Sequence, residues 1–382
     1  MPAHDVLVRG AGAVGLAAAL AFARQGLRVA LLGASGALAQ GDVRAYAMNA
    51  RSVQLLQALK VWDAIPADAR TAVHDMRVHG DDAGAVLNFS AWSQGHAELA
   101  WIVDAAELER ALQAAAGFAP HLERVSAEVP AALQVLAEGK HSATRDTLGV
   151  AMDSRPYGHH AVAARLVADL PHAGLARQWF RSPEILALLP LDRPQPGQGY
   201  GLGWSVPEAR AAALMALPEV AFEQALADAT GAAAGTLRLA SPRARWPLML
   251  SRAQAVHGPG WVLVGDAAHV VHPLAGQGLN LGLADVAVLA EELAWRAAHE
   301  PWRPLGDPRL GARYARRRAA PTWAMATVTD GLWHLFAHPA PLARTLRNQG
   351  LALVERLPLL KRALTQQAMQ APLPLQPGPR RS

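Results

Sequence analysis

The first 33 residues carry the pattern that most restricts how this chain can fold. Asp5-Val6-Leu7-Val8 predicts a buried strand, the Ala-rich run from Leu16 to Gln25 predicts a helix that ends at Gly26, and residues 27–32 predict a second strand. Between the first strand and the helix stands Gly10-Ala11-Gly12-Ala13-Val14-Gly15. Strand, glycines, helix and strand in this order indicate a βαβ unit that binds a dinucleotide.

The glycines of this unit have separate roles. Gly10 allows the tight turn, Gly12 allows close approach to a pyrophosphate, and Gly15 allows the helix to pack on the strand. An acidic residue that binds the adenosine ribose normally ends the second strand, but Gly33 stands at that place. The sequence therefore predicts modest nucleotide affinity, which the substitution Gly33→Glu should raise.

A second segment, from Gly265 to Gly282, follows an apolar strand-like run and leads into an apolar helix from Leu279 to Glu292. Asp266 can accept hydrogen bonds from a polyol. Gly276 and Gly278 have no side chain to keep a flat ring away. The N-terminus of the helix can stabilise negative charge on that ring. This segment predicts a cofactor that lies across a strand end and a helix N-terminus.

Bulk composition limits the class of protein. The 382 residues predict two or more domains, and 52% hydrophobic with 18% charged residues is typical of a globular protein. The net charge is +5, and the basic residues have no interleaved aromatics, so we expect no nucleic-acid binding. The absence of cysteine excludes disulfides and thiolate metal sites. With a first strand near Asp5 and no apolar run of about 18 residues, we expect a cytoplasmic protein without a signal peptide or membrane span.

The middle of the chain predicts an antiparallel sheet inserted into the dinucleotide fold. Residues 73–102 and 150–250 are mostly extended pieces and turns, with one helix from Glu219 to Ala229. A further helix from Asp104 to Leu112 has Asp104 as its N-cap. His159-His160 predicts a turn. After residue 283 the chain is mostly helical.

These features resemble a known family. The opening glycines, the segment at Arg44 and the Gly265–Gly282 segment are similar to flavin-dependent aromatic hydroxylases of the para-hydroxybenzoate hydroxylase type, above all the UbiH/UbiF-type hydroxylases of ubiquinone biosynthesis. The resemblance covers most of the chain, including Leu335-Phe336 and residues 347–350.

The resemblance implies an α/β fold: a Rossmann-like FAD-binding domain with an inserted antiparallel-sheet substrate domain and C-terminal helices. The implied bounds are 1–75, 98–150 and 255–300 for the FAD-binding domain, 76–97 and 151–254 for the substrate domain, 301–371 for the helical region and 372–382 for a disordered tail.

The resemblance also implies which residues contact the cofactor. Asp266 would bind the ribityl chain, and Pro273 with the backbone of 276–280 would lie against the isoalloxazine. The full set implied to bind FAD is Gly10, Gly12, Ala13, Val14, Gly15, Arg44, Gly265, Asp266, Pro273, Gly276, Gln277, Gly278, Leu279 and Asn280. It implies no catalytic side chain and only transient binding of NAD(P)H. The spacing of His269 and His272 is not enough to predict a metal site.

Two departures from the family pattern concern the middle of the chain. The family has an Asp-Gly motif followed by Ser and Arg, whereas this chain has Glu138, with Ser142 and Arg145 in place. Residues 113–137 are few for the strands that normally precede this motif, so we expect a trimmed sheet in which helix, turn and one strand fill most of the segment.

The implied activity is an FAD-dependent monooxygenase that hydroxylates a prenylated phenol with NAD(P)H and dioxygen. Two alternatives remain open. One is a degenerate flavoprotein fold that serves as a scaffold or quinone-lipid-binding subunit. The other is a different flavin oxidoreductase, such as an unsaturated-lipid reductase or a halogenase. The C-terminal helices are expected either to pack on the flavin domain or to attach to an anionic membrane surface or a biosynthetic complex. Vesicle sedimentation that weakens with salt would distinguish these two roles.

Overall fold

A computed structural model describes residues 3–33, 41–80, 85–271 and 277–337. The strands of this part of the chain are β1 (His4–Arg9), β2 (Val29–Leu32), β3 (Ala45–Met48), β4 (Arg70–Val73), β5 (Asp75–His79), β6 (Val86–Ser90), β7 (Ala100–Asp104), β8 (Leu122–Val125), β9 (Ala131–Leu136), β10 (Met152–Ala168), β11 (Leu175–Arg181), β12 (Glu184–Pro190), β13 (Gly199–Pro207), β14 (Leu237–Leu239), β15 (Ala244–Ala253), β16 (His257–Gly258), β17 (Trp261–Leu263) and β18 (His269–Val270). The helices are α1 (Ala13–Ala23), α2 (Ala50–Ala58), α3 (Ala105–Gly117), α4 (Ala143–Thr147), α5 (Glu208–Ala216), α6 (Glu219–Thr230), α7 (Gln277–His299) and α8 (Pro308–Ala337).

The first sheet has the order β16-β17-β9-β1-β2-β8, and its strands run parallel except at the short edge strand β16. Val6, Leu7 and Val8 of β1 are completely buried. Helices cover such a sheet on its faces, so a central strand is apolar without alternation. This confirms the βαβ unit predicted from the sequence.

Helix α1 is buried along almost its whole length. A helix that is apolar all round belongs in a protein interior, and the many alanines let neighbouring elements approach closely. α1 packs in one core with β1, α3 and α7. Asp104 caps α3, because its side chain accepts a hydrogen bond from the Glu107 amide at 3.1 Å. The predicted N-cap is therefore confirmed, and the helix runs five residues further than expected, to Gly117.

The large sheet has the order β18-β15-β10-β13-β12-β11-β5-β6, with β14 beside β10. Its strands are antiparallel except where β5 meets β11. This confirms the predicted antiparallel sheet. A third, small sheet has the order β3-β7-β4. The domain bounds themselves remain a prediction, although β18 joins the large sheet from within the segment assigned to the FAD-binding domain.

Three local predictions were wrong. His159 and His160 lie inside the long strand β10 rather than in a turn. The register of β10 against β15 shifts between Pro156 and His160. The His159 ring hydrogen-bonds to the carbonyls of Tyr157 and Pro183. A second helix, α5, precedes α6 and buries Ala211 and Leu214. Two strands, β8 and β9, follow α3 before Glu138, where one was expected.

The C-terminal part of the described chain is helical, as predicted. α7 buries Leu283, Val286 and Leu289 in the core of the parallel sheet, and α8 adds Leu310 and Tyr314. Residues 338–382, which include the second half of the implied helical region and the tail, lie outside the described residues. Of the helices described, none is long and apolar enough to cross a membrane.

Candidate functional site

A cavity of about 880 Å³ lies between the parallel sheet and the large sheet. Seven of the predicted cofactor residues line it: Gly12, Ala13, Val14, Arg44, Asp266, Gly278 and Leu279. Four other predicted residues are described but do not line the cavity: Gly10, Gly15, Gly265 and Asn280. Pro273 and Gly276 lie outside the described residues, and the side chain of Gln277 is not described. The fold thus brings the two predicted motifs, about 250 residues apart, to one cavity.

The three glycines of the first motif differ in what surrounds them. Gly10 has φ +108°, and a Cβ there would lie 2.3 Å from the carbonyl oxygen of Ala137. A Cβ on Gly15 would lie 1.8 Å from the carbonyl oxygen of Gly10. Gly12, by contrast, has no atom within 4 Å of a Cβ position, so the space above it is open. The geometry fits a close turn at Gly10, close packing at Gly15 and room for a ligand at Gly12.

Gly33 directly follows β2 and has φ +148°, and a Cβ there would lie 3.0 Å from the amide nitrogen of Ala11. Side chains rarely adopt this backbone conformation. The structure therefore argues against the expectation that Gly33→Glu would simply restore a ribose ligand, because the substitution would strain the turn that forms the site.

Asp266 lies in a short 3₁₀ turn, Gly265–Ala267, directly after β17. Its carboxylate faces the cavity, and no described residue donates a hydrogen bond to it. Burial by the surrounding protein raises its pKa, an effect that His269 and Lys140 oppose. The side chain is open to the cavity. A carboxylate that faces a cavity without a protein partner can accept hydrogen bonds from the hydroxyl groups of a ribityl chain.

Behind Asp266 lies a charged network that the sequence reasoning missed. Asp285 of α7 accepts hydrogen bonds from the Gly265 amide at 2.9 Å, from His269 Nε2 at 2.8 Å and from Arg318 Nε at 2.6 Å. Burial alone would raise the pKa of Asp285, but His269 and Arg318 hold it below its ordinary value. The network connects α7 and α8 to the turn that carries Asp266. The available signal was an aspartate within the apolar stretch of α7 that precedes Glu291.

Asn280 connects the start of α7 to the segment before α2. Its side-chain oxygen accepts hydrogen bonds from the Asn49 amide at 3.0 Å and the Ser52 hydroxyl at 2.7 Å, and its amide donates to the Ala47 carbonyl at 2.7 Å. The side chain is therefore used within the protein, which leaves only its backbone for the predicted contact with a cofactor.

Arg44 is exposed to the cavity and is held by its neighbours. It donates to the Asp42 carboxylate at 2.6–3.1 Å and lies 5.7 Å from the centre of the Tyr46 ring. The hydrogen bonds to Asp42 raise the pKa of Arg44. Burial raises the pKa of Tyr46 to about 12 and also raises that of Glu109, which lies 3.6 Å from the guanidinium. Arg44 is thus a fixed positive charge in the cavity wall.

The middle motif lines the cavity through Gly139 and Lys140, while its other side chains stabilise the loops around it. Glu138 accepts hydrogen bonds from the Ser142 hydroxyl at 2.5 Å and the Thr144 hydroxyl at 2.8 Å. Ser142 caps α4, and the buried Arg145 donates to the Ala267 carbonyl at 3.3 Å. The longer side chain of Glu138 is therefore accommodated in a loop that is connected to the Asp266 turn.

The large sheet forms the opposite wall of the cavity. The residues that it contributes, from β10, β11, β12, β13, β15 and β18, are uncharged. The charged lining residues, Asp42, Arg44, Glu109, Lys140 and Asp266, lie outside that sheet. The cavity therefore has one wall that carries charge and one that is mainly apolar.

A metal site has no support in the described part of the chain, where no group of three potential ligands occurs. His269 is instead paired with Asp285. The open space at Gly12, the unpartnered Asp266 and the start of α7 fit FAD. When bound, this cofactor supplies the redox chemistry, while the protein supplies placement and electrostatics.

The fold and this cavity are those of an FAD-binding protein. A family model described as "FAD binding domain" matches residues 3–123 and 118–329. The structure of p-nitrophenol 4-monooxygenase PnpA from Pseudomonas putida has the same fold, with a TM-score of 0.75 at 17% identity over 96% of this chain and 98% of that one.

Sequence relatives define the family more narrowly. The chain is 33% identical to the ubiquinone hydroxylase UbiL of Rhodospirillum rubrum, over 99% of this chain and 92% of the relative. It is 29% identical to 3-demethoxyubiquinol 3-hydroxylase of Escherichia coli, over 96% of this chain and 98% of the relative. The chain belongs to the family of FAD-dependent monooxygenases that contains the ubiquinone hydroxylases. The family resemblance inferred from the sequence is therefore confirmed.

Proposed function

We propose that the protein hydroxylates the aromatic ring of a prenylated phenol in ubiquinone biosynthesis, with NAD(P)H as reductant and dioxygen as the source of the oxygen atom. The observation that carries the proposal is the division of the cavity into a charged wall and an uncharged sheet wall. A cofactor with phosphate and polyol groups suits the first wall, and an apolar aromatic substrate suits the second. The names of the two relatives, both hydroxylases of ubiquinone or its precursors, support the same substrate class.

The residues of this chain would act by binding and placement. Gly12 and the N-terminus of α1 would hold the pyrophosphate, and Asp266 the ribityl hydroxyls. The N-terminus of α7 would place its positive dipole near the flavin ring, where it stabilises negative charge. The apolar wall would exclude water from the reacting ring. The proposed residue assignments require no side-chain acid or base.

The test is turnover by the purified holoprotein. We expect it to retain FAD, to oxidise NAD(P)H faster when 2-prenylphenol is added, and to form a product heavier by one oxygen atom that derives from ¹⁸O₂. Complementation of strains that lack each ring hydroxylase, with quinone intermediates measured, identifies the position that is hydroxylated.

Two results would contradict this function in different ways. A protein that neither contains nor takes up FAD would favour the non-catalytic scaffold. A protein that binds FAD but yields no hydroxylated product and complements no strain would favour another flavin reaction.

A further inference from the structure

Gln178 is the polar residue that stands out on the apolar wall of the cavity. It lies on β11, with 7% of its surface exposed, and lines the cavity. Its neighbours on the same face of the strand, Ala176 and Phe180, are buried in an apolar cluster. The residue paired with it on β5, Val78, belongs to the same cluster. The primary amide of Gln178 therefore lies next to apolar side chains.

The amide of Gln178 has no hydrogen-bond partner among the residues that the structure describes. The residue as a whole is largely buried, but its amide is accessible from the cavity, so a hydrogen-bonding group there would have no protein partner to displace. The amide has both a donor and an acceptor to offer. Because Gln178 lines the cavity, a molecule in the cavity can form hydrogen bonds with its amide.

The sheet leaves room for such a molecule beside Gln178. Ala187 pairs with Gln178, Gly203 with Ala187, and Ala163 with Gly203, so three small residues on three neighbouring strands continue the row that starts at Gln178. No atom lies within 4 Å of a Cβ position on Gly203. Gly203 is two strand spacings, about 10 Å, from Gln178. A flat ring above Ala187 and Gly203 would bring a substituent at its edge within reach of the Gln178 amide.

We propose that Gln178 is a substrate-binding residue that recognises a hydroxyl or other neutral oxygen substituent on the aromatic substrate. The inference rests on the proposed function and specifies its substrate: a ring with one neutral oxygen at the Gln178 edge and an apolar body along the small-residue row. The sheet wall offers no positive charge to a carboxylate. An amide recognises a neutral oxygen as donor or acceptor without one.

The experiment compares two ligands of the holoprotein that differ by one oxygen atom, 2-prenylphenol and prenylbenzene. Binding is followed by the change in absorbance of bound FAD. In the wild type the phenol should bind more tightly. In Gln178→Leu its affinity should fall about 3- to 10-fold, the effect of one hydrogen bond, while prenylbenzene binds as before. Gln178→Met serves as a second, unbranched variant. The matched control is Gln224→Leu, which makes the same change at an exposed position on α6 and should alter neither affinity.

The outcomes separate this inference from the proposed function. Flavin content equal to the wild type in all variants shows that the fold is intact. If Gln178→Leu and Gln178→Met keep the full preference for the phenol, Gln178 does not bind the substrate, and the inference is wrong although the function stands. If the FAD-loaded wild type binds neither ligand, the proposed function fails, and the inference fails with it.

Discussion

The buried carboxylate of Asp285 should be among the most important single side chains for the stability of this protein. Only 1% of its surface is exposed, and it pairs with Arg318, whose side chain is 9% exposed. The substitution Asp285→Ala removes the acceptor for the Gly265 amide and for His269, and leaves the Arg318 guanidinium buried beside no carboxylate. Removal of one partner of a buried ion pair costs about 3–5 kcal/mol in the free energy of unfolding.

The chain offers a matched control one turn and a half further along α7. Glu291 also pairs with an arginine of α8, Arg317, but the two side chains are 56% and 44% exposed. Arg317 keeps a second partner, Glu292, at 3.0 Å. Because water screens an exposed pair, Glu291→Ala should cost no more than about 1 kcal/mol.

The measurement is urea unfolding of the flavin-free proteins, followed by tryptophan fluorescence. Asp285→Asn should lie between wild type and Asp285→Ala, since its side chain can still accept from Gly265 but carries no charge. The pKa of Asp285 is lowered in the native state. Its contribution is therefore complete above the unfolded value of about 3.9 and is lost as the pH falls through the native pKa. A loss for Asp285→Ala as small as that for Glu291→Ala would refute this account of the network.

The remaining predictions concern the cofactor. Gly12→Ala should fold with wild-type stability but bind FAD weakly, since its Cβ points into open space. Gly15→Ala should lower the melting temperature, since its Cβ would collide with the backbone. Equal effects of the two substitutions would contradict the separate roles assigned to these glycines. Asp266→Asn should lower FAD affinity by about 1–2 kcal/mol. Because burial raises the pKa of Asp266, wild-type affinity in FAD titrations should fall with acidification at a pH above the usual Asp value, and the variant should lack this step. Gly33→Glu should lower both the melting temperature and flavin content; tighter FAD binding would show that the β2 turn tolerates the side chain.

Sequence reasoning succeeded where local patterns have one physical meaning. The Gly10–Gly15 turn, the buried strand β1 and the Asp104 cap follow from contacts between residues close in the chain. Asp266 lines the cavity because it lies between a strand end and a helix, and its contact with the ribityl chain stays a prediction. Sequence reasoning failed at His159 and at helix α5. A bulge inside β10 and a helix after Pro207 both depend on the residues that pack against them.

The sequence by itself determined the βαβ start, the FAD-binding motifs and the family, since each depends on residue types at short spacing. The tertiary structure decided which groups meet across long separations. It brings Arg318 to Asp285, hydrogen-bonds Glu138 to the Ser142 hydroxyl, and places Gln178 at the edge of the cavity. The register of five strands decides the side chains that share a wall with Gln178. Register depends on interactions along the whole sheet, and no short pattern around residue 178 records it.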